Sequence, residues 1–410
     1  MRQVIIKRIL GVGAASACNV AFTALQSLVL GHLLTVEMFG ITRTATAYMI
    51  FLTMIGHFTL QNAVASSIVQ TKDNEEVARF IFNAGLLVVS ISLVTSIASI
   101  AVIRFSGFWQ PELSGPLAII FTTLPIACLT LTYNACLEAL GAYKTYVVVI
   151  FLTGALPFVV LLALSSKWQL EGWIAGKVIS AALLLLVSGL AIKKHLVFER
   201  PSLQHIKHLF GFARVQMVSG VLSLALMSAD VIVLERLTHD LKAIANYGVA
   251  MLFANACSLL PVSVGRVYFR EISANNLAGT RKQLEYIGLI IGLGVICAFG
   301  LYWVGPLLIQ LFFGDAYEGA KPILKVLALG IVFNFLWHCI SVINVSSGHP
   351  RRSVVISSAG AIIGLSGLAL LTPAYRGMGA AWSMNLAYAA GVSVGLWMLW
   401  MQHASYRKNA

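Results

Sequence analysis

The run MSADVIVLERL, residues 227–237, sets Asp230 among aliphatic side chains. A carboxylate in such surroundings must be hydrogen-bonded, paired with a cation or protonated, because burying an isolated charge is strongly unfavourable. Asp230 therefore reads either as a cavity carboxylate that handles an ion, or as a group tying its helix to a neighbour or reaching an interface. Lys177, in GWIAGKVIS, is the only lysine well inside an apolar run. Its ammonium can bind an anion, pair with Asp230, or snorkel along its stem to water. Arg214, Arg266, Arg270 and Arg79 stand near the ends of apolar runs. Arg266 and Arg270 are four apart and share a helical face. Guanidinium groups suit bidentate phosphate binding; the alternative for all four is anchoring at an interface. Glu138 follows Asn134 by one turn and is read as a partner of Lys144 or an arginine, or as a site residue. Gln61 and Asn62, with His57 and Asn255 deeper in their runs, either line a hydrated cavity or bond between helices.

What the sequence lacks narrows the chemistry further. There is no HExxH, P-loop, GxSxG or paired-carboxylate motif. HIKH, residues 205–208, has metal-like spacing but sits on a basic connection and reads as a solvated face. Cys18, Cys128, Cys136, Cys257, Cys297 and Cys339 all fall in apolar runs without a CxxC pair, as small buried hydrophobes do. No catalytic residue, metal site or cofactor is expected, and the polar residues above are read as binding or ion-handling groups.

The elements that hold them are set by composition. Of 410 residues, 59% are hydrophobic and 10% charged, against roughly 45–50% and about 25% in soluble domains. Apolar stretches of about 20 residues, long enough to cross a hydrocarbon core as helices, recur along the whole chain. The expected class is an all-α integral membrane protein. Twelve spans are expected, at 8–34, 41–69, 77–103, 114–140, 143–164, 170–192, 210–237, 244–273, 284–313, 322–345, 354–372 and 378–401. The first run resembles a signal peptide but continues to Leu34, too long for a cleaved segment, and is read as a retained helix. The net charge of +13 then needs no nucleic acid. Lysine and arginine gather in cytoplasmic connections, and Arg2, Lys7, Lys193, Lys194, Arg351, Arg352, Arg407 and Lys408 fall on one side of the twelve-span plan. Both termini are expected in the cytoplasm. Pro125, Pro157 and Pro261 are expected to kink their helices.

A repeat divides the chain. Gly141 precedes VVVI and Gly172 follows 31 positions later; Gly348 precedes SVVI and Gly379 follows after the same interval. Both pairs are offset by 207, and LQNAV from Leu60 matches LPVSV from Leu260 at an offset of 200. Two six-helix bundles are expected, 1–205 with its cytoplasmic connection and 206–410, as parallel repeats around a central cavity. That is a transporter's plan.

Several motifs now carry a family resemblance. Phe39–Gly40, SADVIVLERL, NYGVAMLFANACSLLPVSVGRVYFREIS, VGPLLIQLFFGDAYEGAKPILKVLALG, GHPRRSVV and RGMGAAW resemble, in order and spacing, the polysaccharide flippases. These form the O-antigen and capsule branch of the multidrug/oligosaccharidyl-lipid/polysaccharide exporter superfamily. The resemblance implies translocation of a polyprenyl-diphosphate-linked oligosaccharide across a bacterial inner membrane by alternating access, feeding surface polysaccharides such as lipopolysaccharide. It implies membrane lipids, a polysaccharide polymerase and chain-length proteins as partners, and a polar cavity that is often cationic. Such flippases favour an acidic residue at the place of Asp230. The competing readings are a cation-coupled multidrug exporter of the same superfamily and a membrane-bound polymerase or glycosyltransferase. The exporter is expected to cluster acids in its amino-terminal half, and the first three spans hold none between their flanks.

Overall fold

The computed structural model describes residues 2–71, 73–106, 109–196, 201–274, 279–346 and 350–409, with side chains at all of these but 2–13, 215–216, 218–227, 266–267, 269–271, 273–274, 279–281, 350 and 402–409. Helices are the only regular elements among the described residues. They are α1 (Arg2–Leu33), α2 (Val36–His57), α3 (Leu60–Gln70), α4 (Asn74–Phe105), α5 (Pro111–Phe121), α6 (Leu124–Ala139), α7 (Tyr143–Ile192), α8 (Leu203–Thr238), α9 (Leu241–Cys257), α10 (Leu259–Ala274), α11 (Gly279–Trp303), α12 (Gly305–Phe313), α13 (Ala320–Ser346) and α14 (Pro350–Asn409). The chain forms two compact units, Met1–Val221 and Leu222–Ala410, and the division falls inside α8.

Helix starts use the few polar residues of the connections. Thr35 caps α2 by accepting from the Met38 amide at 3.2 Å. Asp73 caps α4 through Glu75 N at 3.0 Å, and Asp240 caps α9 through Ala243 N at 3.0 Å. Each satisfies an amide that the helix leaves without a partner. The side chains then sort in the membrane manner. Val94, Ile97, Phe105, Val159, Ile296, Phe299, Leu311 and Leu370 are all exposed, an amount of uncovered apolar surface that water does not tolerate.

Among the described residues, eight helices are long and apolar enough to cross a membrane, or nine if the bent pair α5 and α6 makes one span. Two of the eight run past 50 residues, more than twice what the hydrocarbon core requires. Each contains a reversal. In α7 the helical backbone fails at Trp168 and Gln169, the latter at φ 46°; in α14 it fails at Arg376, at φ 48°. A side chain at Gly172 would collide with the Leu164 carbonyl, and one at Gly379 with the Leu371 carbonyl. Eight residues apart on a straight helix means about 12 Å, so each chain folds back on itself, and glycine is required where the two arms meet. Gly176 against Leu161 and Gly367 against Ser383 repeat the contact further along each pair. The breaks at Gln169 and Arg376 are themselves 207 apart, the sequence offset of Gly172 and Gly379. Gly348 lies outside the described residues.

The other breaks were expected as continuous spans. Phe58 and Thr59 adopt left-handed backbone between α2 and α3, with φ of 50° and 54°. His57 is buried there and accepts the Thr59 amide at 2.9 Å through Nδ1. Of the three prolines, Pro261 sits just inside the start of α10 and Pro125 at the start of α6, where a missing amide costs nothing. They begin new helices after breaks, while Pro157 lies within α7.

In unit 1, α1 packs on the first arm of α7, where Asn19 donates to Thr153 Oγ1 at 3.0 Å and Phe22 meets Phe151 and Phe158. The first turns of α8 belong to this unit: Phe210 stacks on Phe58 at 5.0 Å and Thr59 donates to the Ala213 carbonyl at 3.0 Å. His205 and His208 both pack on Phe80, and no metal-binding group is found among the described residues. In unit 2, α13 is the central element, packed on α14, α11, α9 and α10.

Candidate functional site

Asp230 is the focus of unit 2. It is 2% exposed on α8, and the Tyr247 hydroxyl of α9 donates to its Oδ2 at 2.6 Å. The Val231 amide donates to Oδ1 at 2.8 Å. Tyr388 of α14 lies near both the carboxylate and Asn334 of α13. Ser258, at the break between α9 and α10, donates to Asn334 Oδ1 at 3.0 Å. Four helices and the α9/α10 break thus contribute polar groups to one cluster inside an apolar bundle, where the Tyr247–Asp230 and Ser258–Asn334 bonds satisfy groups that would be costly alone. Asn334, Ser258 and Tyr388 face a narrow cavity of about 20 Å³, together with Asn255 and Asn385. This is room for one water. Asn385 donates to the Val326 carbonyl at 2.6 Å, while its own Oδ1 is buried without a hydrogen-bond partner.

Unit 1 holds cations instead. Lys177, half-buried on the second arm of α7, lies with Nζ 5.5 Å from the Trp173 ring centre. Arg43 of α2 is near enough to act on it electrostatically and lies 5.8 Å over Phe39. Aromatic faces stabilise desolvated cations, and Trp173 and Phe39 are both buried. Nothing in the sequence signals the place of Arg43 beside Lys177. Asp230 and Lys177, weighed in the sequence as partners for one another, each find neighbours within their own unit.

The remaining candidates do not form one site. Glu138 is exposed near the end of α6 and accepts from the Tyr146 hydroxyl at 2.9 Å. Arg79 is exposed in the second turn of α4 and Arg214 is exposed on α8. Gln61 is half-buried and Asn62 exposed in the first turn of α3. Asn255 is exposed near the end of α9 and lines the unit 2 cavity. Arg266 and Arg270 lie on α10, and their side chains are outside the described ones. Tyr247, Tyr388, Asn334 and Arg43 are the additions that sequence reasoning missed. Asn334, polar within LGIVFNFLW, carried a visible signal; the tyrosines did not.

Long apolar helices holding buried polar clusters make this a multi-pass membrane protein, and its fold is shared with solved membrane transporters. A structure of the lipid II flippase MurJ in an inward closed conformation superposes with a TM-score of 0.81 at 16% identity, covering 95% of this chain and 87% of that one. An inward-facing MATE multidrug resistance transporter of the MOP superfamily gives 0.75 at 14%, covering 96% of each chain. A MOP transporter from Pyrococcus furiosus gives 0.67 at 13%, over 95% and 94%. No curated protein sequence matches the chain significantly. The polysaccharide biosynthesis protein family model matches residues 14–273, and the chain belongs to that family.

Proposed function

We propose that this protein moves polyprenyl-diphosphate-linked oligosaccharide repeat units across the bacterial inner membrane for assembly of a surface polysaccharide such as O-antigen or capsule. The observation that carries this reading is the Lys177 and Arg43 pair. Two cations held near one another in a membrane-embedded unit repel at low dielectric, and a passing diphosphate or acidic sugar is attracted by both. Family membership supports a saccharide cargo, and the fold shared with a lipid II flippase supports one attached to lipid. The polar head would travel along protein groups while the polyprenyl tail stays in hydrocarbon.

The same proposal includes twelve crossings, obtained when the bent pair α5 and α6 makes one span, each reversal counts as two spans and α8 also crosses, with both termini cytoplasmic. Residues 1–205 and 206–410 would act as the two repeats of an alternating-access cycle. A polysaccharide polymerase and chain-length proteins would take the product. None of this calls for a catalytic group. A second reading, cation-coupled export of a small molecule, is favoured by the buried Asp230 chain, which could exchange an ion.

Deletion of the gene tests the main reading. The expected result is loss of surface polysaccharide, with lipid-linked repeat units retained at the inner leaflet and restored delivery from the wild-type gene. Normal outward delivery in a deletion strain that holds no second flippase overturns it. Increased sensitivity to small cationic compounds, with polysaccharide intact, supports the second reading.

A further inference from the structure

A cavity in unit 1 lies apart from both polar clusters, where α3 and α6 end and α7 begins. It is an open hollow of about 440 Å³, lined by Ala65, Ser66, Val69, Gln70, Ala135, Glu138, Ala139 and Tyr143, with Val69, Gln70 and Glu138 exposed at its rim. Its size falls within the range of about 300–1,000 Å³ typical of small-molecule sites. The room comes from small side chains. Ala135 and Ala139 are one turn apart on α6, and Ala65 faces them from α3, so that no large group fills the space.

The polar groups around it are positioned. Tyr146 donates to Glu138 Oε2 at 2.9 Å, using one of the roughly four lone-pair sites that a carboxylate offers. Gln70 donates to Ser66 Oγ at 3.2 Å, and its amide has a further N–H and a carbonyl oxygen to offer. Tyr143 adds an aromatic ring and Val69 and the alanines an apolar wall. None of the described lining residues is cationic, and the one charged group is a carboxylate. Such a site repels phosphate. It suits a ring that donates hydroxyls to a carboxylate and an amide and lays its C–H face on an aromatic side chain.

We propose that this cavity is a saccharide subsite, taking one uncharged, hydroxyl-rich sugar ring through Glu138, Gln70 and Tyr143. It rests on the reading of the cargo as a lipid-linked oligosaccharide, and it separates recognition of the sugar from recognition of the anion at Lys177 and Arg43. The test uses the full chain in nanodiscs free of glycosidic detergent. Saturation-transfer NMR is recorded with the methyl glycosides of a hexose, a 6-deoxyhexose and an N-acetylhexosamine, alone and with inorganic diphosphate. At least one glycoside is expected to receive saturation, with no loss on adding diphosphate. Ala135→Phe, which fills the cavity, should abolish the signal, and Glu138→Ala should weaken binding about tenfold, as expected for loss of a charge-assisted hydrogen bond. If Ala135→Phe does not fold, Glu138→Ala decides. No signal from any of the three glycosides, a signal indifferent to the variants, or displacement by diphosphate overturns the proposal. The binding readout does not depend on transport. Failure here with polysaccharide lost on gene deletion removes only the subsite, while intact polysaccharide on deletion removes the flippase reading whatever the NMR shows.

Discussion

Removing the Tyr247 hydroxyl should expose how much the Asp230 chain contributes. The bond is 2.6 Å long, and both residues are buried, Tyr247 fully and Asp230 to 2% exposure. A hydrogen bond to a charged group is worth about 1.5–3 kcal/mol in soluble proteins. Interhelical bonds in membranes average only about 0.6 kcal/mol, with a maximum near 1.7, because unfolded segments in lipid find other partners. The charge on Asp230 and the shortness of the bond put this pair at the upper end, about 1–2 kcal/mol. Tyr247→Phe leaves a carboxylate short of one donor, whereas Asp230→Asn removes the charge and keeps a carbonyl acceptor. The double substitution should then cost less than the two singles together, with a coupling of about 1 kcal/mol or more. Equilibrium unfolding of the purified full chain in mixed micelles measures all four proteins. A parallel cycle with Asp230→Asn and Lys177→Met should be additive within about 0.5 kcal/mol, since each charge has partners in its own unit. Additivity of the tyrosine cycle refutes the reasoning; coupling in the lysine cycle would bring back a pair between Asp230 and Lys177.

Three further outcomes follow from other parts of the structure. Gly172→Leu and Gly379→Leu should each destabilise by at least the roughly 1–3 kcal/mol of an overpacked site, because the added atoms meet a backbone carbonyl rather than a movable side chain; Gly115→Ala, with open space around it, should be silent, and membrane abundance reads all three. Reporters fused after Lys194 and Ala410 should report cytoplasm and one after Gln110 the outside, by the bias of lysine and arginine; a cytoplasmic signal at Gln110 removes the proposed topology. Lys177→Met and Arg43→Gln should each reduce surface polysaccharide at normal abundance, and unchanged polysaccharide in the double variant would show that neither cation meets the cargo.

Much of the fold was legible because a membrane forces a simple rule on side chains. The separate apolar runs 143–164 and 170–192 leave a gap that contains Gln169, and 354–372 and 378–401 leave one that contains Arg376. Gly172 and Gly379 stood out at a common offset because close approach of two arms leaves no room for a Cβ. Breaks inside one span were hidden. Phe58 and Thr59 take left-handed backbone without glycine, and the apolar character continues across them. Asp230 announced itself as a charge in an apolar run, yet its tyrosine partner lies 17 residues on and Tyr388 on another helix. Periodicity gives the face of a helix, not the neighbour that the face meets.

The repeat persists in the backbone and is lost in the chemistry. At the 207-residue offset Lys177 corresponds to Met384, which lines the polar cavity of unit 2 beside Asn385. Asn334 corresponds to Ala127, and Asp230 to Thr23, whose hydroxyl bonds only its own helix at Asn19 O. Both units therefore use the second arm of their reversing helix to present a group toward a polar cluster, but unit 1 fills that place with a cation and unit 2 with an uncharged side chain facing an acid's network. A cargo with an anionic diphosphate needs attraction without permanent capture. In the proposed reading, the half-buried Lys177 and Arg43 attract such a cargo in unit 1, and the acid of unit 2, already bonded to a tyrosine, does not hold it. In the proposed flippase, the loss of symmetry in the side chains is the functional part of the repeat.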